Sequence, residues 1–189
     1  MQAWHELVGD AKFLAALTAT DERIASEARR GRCPLCGGRL DRGDFPRKPR
    51  PGLGAAESSW SKRISLCCSE EGCRHRVTPP SVRFLGRKVY AAPFIVIALV
   101  SAAAAATAAA AIASARTRRR WAEWWQTAFL ASACWSELRG RLVPAVSERG
   151  LPGSLLARFE GAASEALASM LSAISAVTTP RGLRSVRAM

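Results

Sequence analysis

Five of the six cysteines fall into two close groups: Cys33 and Cys36 in "CPLCGG", then Cys67, Cys68 and Cys73 in "LCCSEEGC". A C-x-x-C followed by glycine makes a tight turn that aims backbone N–H groups at thiolates. Two such pairs supply four soft ligands for a tetrahedral ion, and Zn2+ is the ion that most often holds together a hairpin too small to bury a core. The second pair is C-x4-C if it starts at Cys68 and C-x5-C if it starts at Cys67. Strand alternation along "RISLCC" puts Ile64, Leu66 and Cys68 on one face and Cys67 on the other. The expected ligands are therefore Cys33, Cys36, Cys68 and Cys73, with Cys67 the alternative to Cys68. The competing reading is a set of buried free thiols. Cys134, in the helical "ASACW", is expected to be core, and His75, beside a cysteine set that is already complete, is expected at the surface near an anion.

The elements that must position these sulfurs begin with residues 10–30, where Phe13, Leu14, Leu17 and Ile24 have helical spacing and Asp10, Thr18 or Thr20 can cap. From Gly31 to Pro80 the texture is Gly, Pro, Ser and Arg, the composition of loops and hairpins, and "DFPRKPRPGLGAAESS" reads as a flexible insertion. Beyond Pro80 the chain becomes Ala-rich and helical. Leu155, Leu156 and Phe159, then Leu167, Met170, Leu171, Ile174 and Val177, keep helical spacing on either side of a break at Gly161. The expected fold is mainly α with a small zinc-ribbon β-hairpin and a helix-turn-helix-like region. Its expected parts are an N-terminal helical lead (1–30), the ribbon with its basic insertion (31–82), helix-turn-helix-like helices (83–142), packing helices (143–178) and a basic, disordered tail (179–189).

Charge points to the class of partner. A net charge of +13 and a pI near 10.9 favour polyanions, and 24 of the 28 cations are Arg, whose planar fork suits phosphates and base edges. Residues 29–90 hold fifteen cations against five acids, so much of the surplus lies around the ribbon. Arg47, Lys48 and Arg50 in "PRKPRPG" are placed to follow a nucleic-acid backbone or minor groove, and Arg74 and Arg76 to fix register on phosphates. In "RTRRRWAEWWQTAF", Trp121, Trp124, Trp125 and Phe129, with Ala128 between them, form the expected buried stripe. Arg116, Arg119, Arg120 and Glu123 lie opposite. Cations in the first turns of a helix anchored by tryptophans have the placement a major-groove recognition helix requires, although a solvated charged face is the plainer alternative.

Residues 90–115 carry no charge and are long enough to span a bilayer. Fourteen of them are Ala, and the seven strongly apolar residues favour insertion by only about 2–4 kcal/mol before Pro93 and the hydroxyls are counted. This weighs against a membrane partner but leaves a membrane-anchored ribbon as one alternative function, a protein–protein adaptor being another. The N-terminus shows no secretory signal, so a cytoplasmic location is expected. Four scattered Asp and eleven scattered Glu form no convincing carboxylate set for Mg2+, and no nucleophile–base pair or phosphate-cradling loop stands out. The expectation is a binding module rather than an enzyme.

Over residues 30–125 the chain resembles bacterial insertion-sequence transposases and their small DNA-binding accessory proteins. "CPLCGG" and "CCSEEGCRHRVTPPSVRFLGRKVY" look like their N-terminal zinc ribbon. Ser114, Thr117, Arg120 and Trp121 match the Ser and T-x-x-R-W that open their recognition helix; Ile112 and Arg118 depart from it, standing where a Gly and an apolar residue are usual. The resemblance implies zinc-dependent binding of double-stranded DNA in the service of a mobile element, with a separately encoded transposase as a further partner.

Overall fold

The computed structural model describes residues 6, 7, 9–50, 57–85, 90–100 and 112–179. Helix α1 (Ala11–Arg30) starts where the Asp10 carboxylate accepts the N–H groups of Lys12 and Phe13 at 2.8 and 3.2 Å. Thr18 and Thr20 do not cap a second helix; their hydroxyls bond the carbonyls of Leu14 and Ala16 one turn back, so a single 20-residue helix forms. One face buries Phe13, Leu14, Leu17, Asp21 and Ala25.

Five short strands follow: β1 (Leu40–Arg42), β2 (Phe45–Pro46), β3 (Lys62–Arg63), β4 (Leu66–Cys68) and β5 (Arg76–Val77). They make two antiparallel sheets, β1-β4-β5 and β2-β3. Register places Cys68 opposite Leu40 and Cys67 opposite both Asp41 and Arg76. The inner face of the larger sheet buries Leu40, Leu66, Cys33 and Cys68 as a core of its own, with Ala28 of α1 packed against it.

The expected flexible insertion is partly structured. Phe45 and Pro46 pair with Arg63 and Lys62, and helix α2 (Glu57–Trp60) ends on a tryptophan with no exposed surface, packed edge-on against Phe84 at 5.9 Å. Isolated apolar residues among Pro, Gly and Arg gave no local periodicity, but burying an indole favours order strongly enough to hold that end of the segment. Residues 51–56 lie outside the described residues.

The larger core is helical. Helix α3 (Ala92–Val100) buries Ala92 to Ala98 without interruption. Helix α4 (Ala115–Trp124) begins at Ser114, whose Oγ accepts the Thr117 N–H at 3.3 Å, and runs into a π-helical turn, Trp125–Phe129. That wider turn corrects the expected stripe. Fewer degrees per residue bring Trp121, Trp125 and Phe129 onto the buried line at i, i+4, i+8, while Trp124 is half-buried and Ala128 faces solvent. Phe129 meets Trp125 at 4.5 Å and, in helix α5 (Ala133–Arg139), Trp135 at 5.4 Å. Helices α6 (Gly153–Leu156) and α7 (Ala163–Ala173) close the core, separated as expected at Gly161, whose φ of 104° suits glycine.

Sheet and helices are joined by a buried polar network. Asp21 of α1 accepts the Arg83 Nε–H at 2.8 Å, the Ser81 hydroxyl at 2.6 Å and the Val82 N–H at 2.7 Å. Arg83 also bonds the Ser59 carbonyl at 2.7 Å and lies over the rings of Trp60 and Phe84. Ser81 N–H reaches Thr178 Oγ1 at 3.0 Å. Among the described residues no helix is long and apolar enough to cross a membrane. Residues 101–111 of the alanine run lie outside them, as does the basic tail from Pro180 onward.

Candidate metal centre and basic surface

The four expected ligands converge. The Sγ atoms of Cys33, Cys36, Cys68 and Cys73 all lie within 4.8 Å of one another, with Cys36–Cys68 at 3.4 Å and Cys33–Cys73 at 3.7 Å. A tetrahedral ion with metal–sulfur bonds of about 2.3 Å separates its ligands by about 3.8 Å, so the tetrad is close to the size that such an ion needs. Cys67 lies on the other face of β4, where its thiol points to the Arg74 carbonyl at 3.6 Å. Strand alternation thus turns Cys68, and not Cys67, toward the other three sulfurs.

Local geometry explains why these turns form. In the first, Gly37 N–H returns to the Cys33 carbonyl at 2.9 Å and Cys33 N–H to the Gly38 carbonyl at 2.9 Å, with Gly37 in the left-handed region at φ 72°. In the second, the N–H groups of Cys73 and Arg74 both donate to the Glu70 carbonyl at 3.0 Å, and Arg74 takes φ 46°. Gly38 is the tightest position. A Cβ there would fall 2.5 Å from Glu70 Cγ, 3.0 Å from Cys68 Sγ and 3.2 Å from Cys36 Sγ.

The metal-free thiols differ in acidity. Burial raises Cys33, but N–H donation from Leu35 and Cys36, with side-chain bonds from Cys36 and Cys73, outweighs it and brings the thiol down to about 7. Burial pushes Cys68 up to about 12 against the Glu70 N–H. At Cys73 the His75 N–H lowers the thiol, while Cys36, burial and Cys33 together carry it above its ordinary range. Cys33 is thus the readiest of these three to carry a thiolate, and Cys68 and Cys73 give up protons to an incoming cation. His75, half-buried, serves the centre through its backbone: its carbonyl also accepts the Cys68 N–H at 2.9 Å. Cys134 is buried core, as expected, with its thiol against the Ile174 carbonyl.

The expected DNA contacts divide into two kinds. Arg116, Arg119 and Arg120 are exposed on α4 and have no hydrogen-bond or ion-pair partner among the described residues. Lys48, Arg50 and Arg74 are exposed as well. Arg76 is exposed but braced, donating to the Gly43 carbonyl at 2.8 Å and to Ser65 Oγ at 3.3 Å. Arg47 is half-buried, with its guanidinium over Phe45 and Phe84 at 5.9 and 5.5 Å, and desolvation lowers its basicity. Arg118, at the position where the resembled motif has an apolar residue, instead donates to the Ala113 carbonyl at 2.7 Å.

Sequence reasoning missed Gly38, whose signal was only the second glycine of "CGG", and the Asp21–Arg83 pair, which no local pattern encodes. A scan against protein-family models finds no match, and searches among curated proteins and solved structures return no significant match either.

Proposed function

We propose that Zn2+ fills the four-cysteine site and that the protein is a non-catalytic, zinc-dependent binder of double-stranded DNA, acting for a mobile element beside a separately encoded transposase. Four sulfurs at tetrahedral spacing favour Zn2+ or iron among common ions, and zinc brings no redox chemistry to a purely structural role. The observation that carries the DNA reading is the trio Arg116, Arg119 and Arg120, exposed and without a partner among the described residues. They project from the first turns of a helix whose opposite side is pinned by Trp121 and Trp125. An intramolecularly unpaired guanidinium row is available for phosphates and guanine edges.

Two measurements test the reading. Elemental analysis of purified protein should return one zinc per chain, retained in Cys67→Ser and lost in Cys68→Ser; iron, or metal lost only in Cys67→Ser, refutes the assignment. Fluorescence anisotropy with duplex DNA should show affinity falling steeply with salt. Arg119→Ala or Arg120→Ala should cost roughly 1–3 kcal/mol on a preferred sequence. Absence of binding to any duplex at low salt refutes the DNA reading. It would favour the adaptor alternative, for which Leu35, 71% exposed at the tip of the first cysteine turn, is the supporting observation.

A further inference from the structure

We infer that the DNA-facing surface is composite: the extended segment 47–50 and the first turns of α4 meet one duplex as a unit, and the ring contact between Tyr90 and Trp121 is the joint between them. The inference rests on the duplex reading above. Arg50 pairs with Tyr90 through a parallel backbone bridge, and its carbonyl accepts the Ala91 N–H at 3.2 Å. The Tyr90 ring stands edge-on to the Trp121 indole, centroids 4.8 Å apart at 75°. Trp121 directly follows Arg120, so the backbone of Arg50 is two contacts away from the arginine helix.

Alternation along the segment supplies the second half of the reasoning. Arg47 turns inward onto Phe45 and Phe84, whereas Lys48 and Arg50 are both exposed and share the opposite side of an extended chain. Neither has an ion-pair partner among the described residues. Lys48 and Arg50 thus add two exposed cations on a segment tied through Tyr90 to the Trp121 side of α4. Arg120, directly before that indole, and Arg116 and Arg119 beyond it supply three more, with Glu123 the acid on the arginine face. A duplex complements such a row: phosphates meet the segment while the helix enters the groove. Tyr90 is a positioning residue here. It carries no charge for the DNA but fixes the distance between two charged elements.

Anisotropy titrations on a 20-base-pair duplex across a salt series test the inference with the full chain loaded with zinc. Lys48→Ala/Arg50→Ala should lower the log–log salt slope by about 1.8, two phosphate contacts' worth. Tyr90→Leu, which removes no charge, should lower the slope similarly, and adding Lys48→Ala/Arg50→Ala to it should change little more. Tyr90→Phe, which keeps the ring, should bind as the wild type does. If Lys48→Ala/Arg50→Ala keeps the wild-type slope, or lowers it equally with and without Tyr90→Leu, the composite surface is refuted while the duplex reading stands. A wild-type protein that binds no duplex at low salt overturns both. Should Tyr90→Leu fail to fold, Lys48→Ala/Arg50→Ala, which removes two exposed side chains and leaves the Arg50 carbonyl bonded to the Ala91 N–H, decides the question alone.

Discussion

Replacing Asp21 by Ala should be among the most damaging single changes outside the cysteines. Asp21 and Arg83 are each 1% exposed, and the carboxylate satisfies the Arg83 Nε–H, the Ser81 hydroxyl and the Val82 N–H at once. Removing it leaves a guanidinium sealed from water with only the Ser59 carbonyl and two aromatic faces as partners. Breaking one side of a buried, hydrogen-bonded pair costs about 3–5 kcal/mol. For a chain of this size each kcal/mol moves the melting temperature by about 2–4 °C. Circular-dichroism melting of zinc-loaded Asp21→Ala should therefore show a fall of roughly 6–20 °C. The double variant Asp21→Leu/Arg83→Met should recover the part of that loss owed to the stranded guanidinium, but not the part owed to the Ser81 hydroxyl and the Val82 N–H, which stay unpaired. A loss below about 1 kcal/mol in the single variant, or no recovery in the double, would refute this account of the network.

Two further outcomes follow from the metal centre. Gly38→Ala pushes a methyl group against Cys68 and Cys36 sulfurs, so its zinc affinity in a chelator competition should fall at least tenfold, about 1.4 kcal/mol, while helical circular dichroism is kept; unchanged affinity would mean the tetrad relaxes freely. Metal binding should also release protons. Cys68 and Cys73 are protonated before binding at pH 8, so at least two protons leave there, and a third joins them below the Cys33 value of about 7. Apparent affinity should accordingly fall faster with acidification below pH 7 than above it. Calorimetry in buffers of differing ionisation enthalpy measures the count, and a pH-independent count of one or none would contradict it.

The metal tetrad was legible because its information is local: turn residues fix each cysteine pair, and a period of two separates Cys68 from Cys67. The predominance of helix was legible for the same reason. Three features were not. The π turn at Trp125–Phe129 is a slip in hydrogen bonding that leaves composition unchanged, so Ala128 was assigned to the wrong side. Trp60 finds its burial against Phe84 and the helical core, partners that no window of neighbouring residues contains. Asp21 looks like any helix-surface acid until the chain returns at Ser81. Arg76 adds a structural bond that its sequence position did not announce: its exposed guanidinium braces the sheet to Gly43.

The position of the cysteines between Asp21 and Arg83 also bears on how fast the chain folds. These two residues are 62 positions apart, and the ion would clip together Cys33 and Cys73, themselves 40 apart, inside that span. With the clip closed, the open chain between the charged partners shrinks to about 22 residues, and ring-closure entropy falls by about 1 kcal/mol. Metal loaded early would thus bring the two halves of the molecule together roughly fivefold more often, making the ion an accelerator of assembly as well as a fastener of the finished sheet.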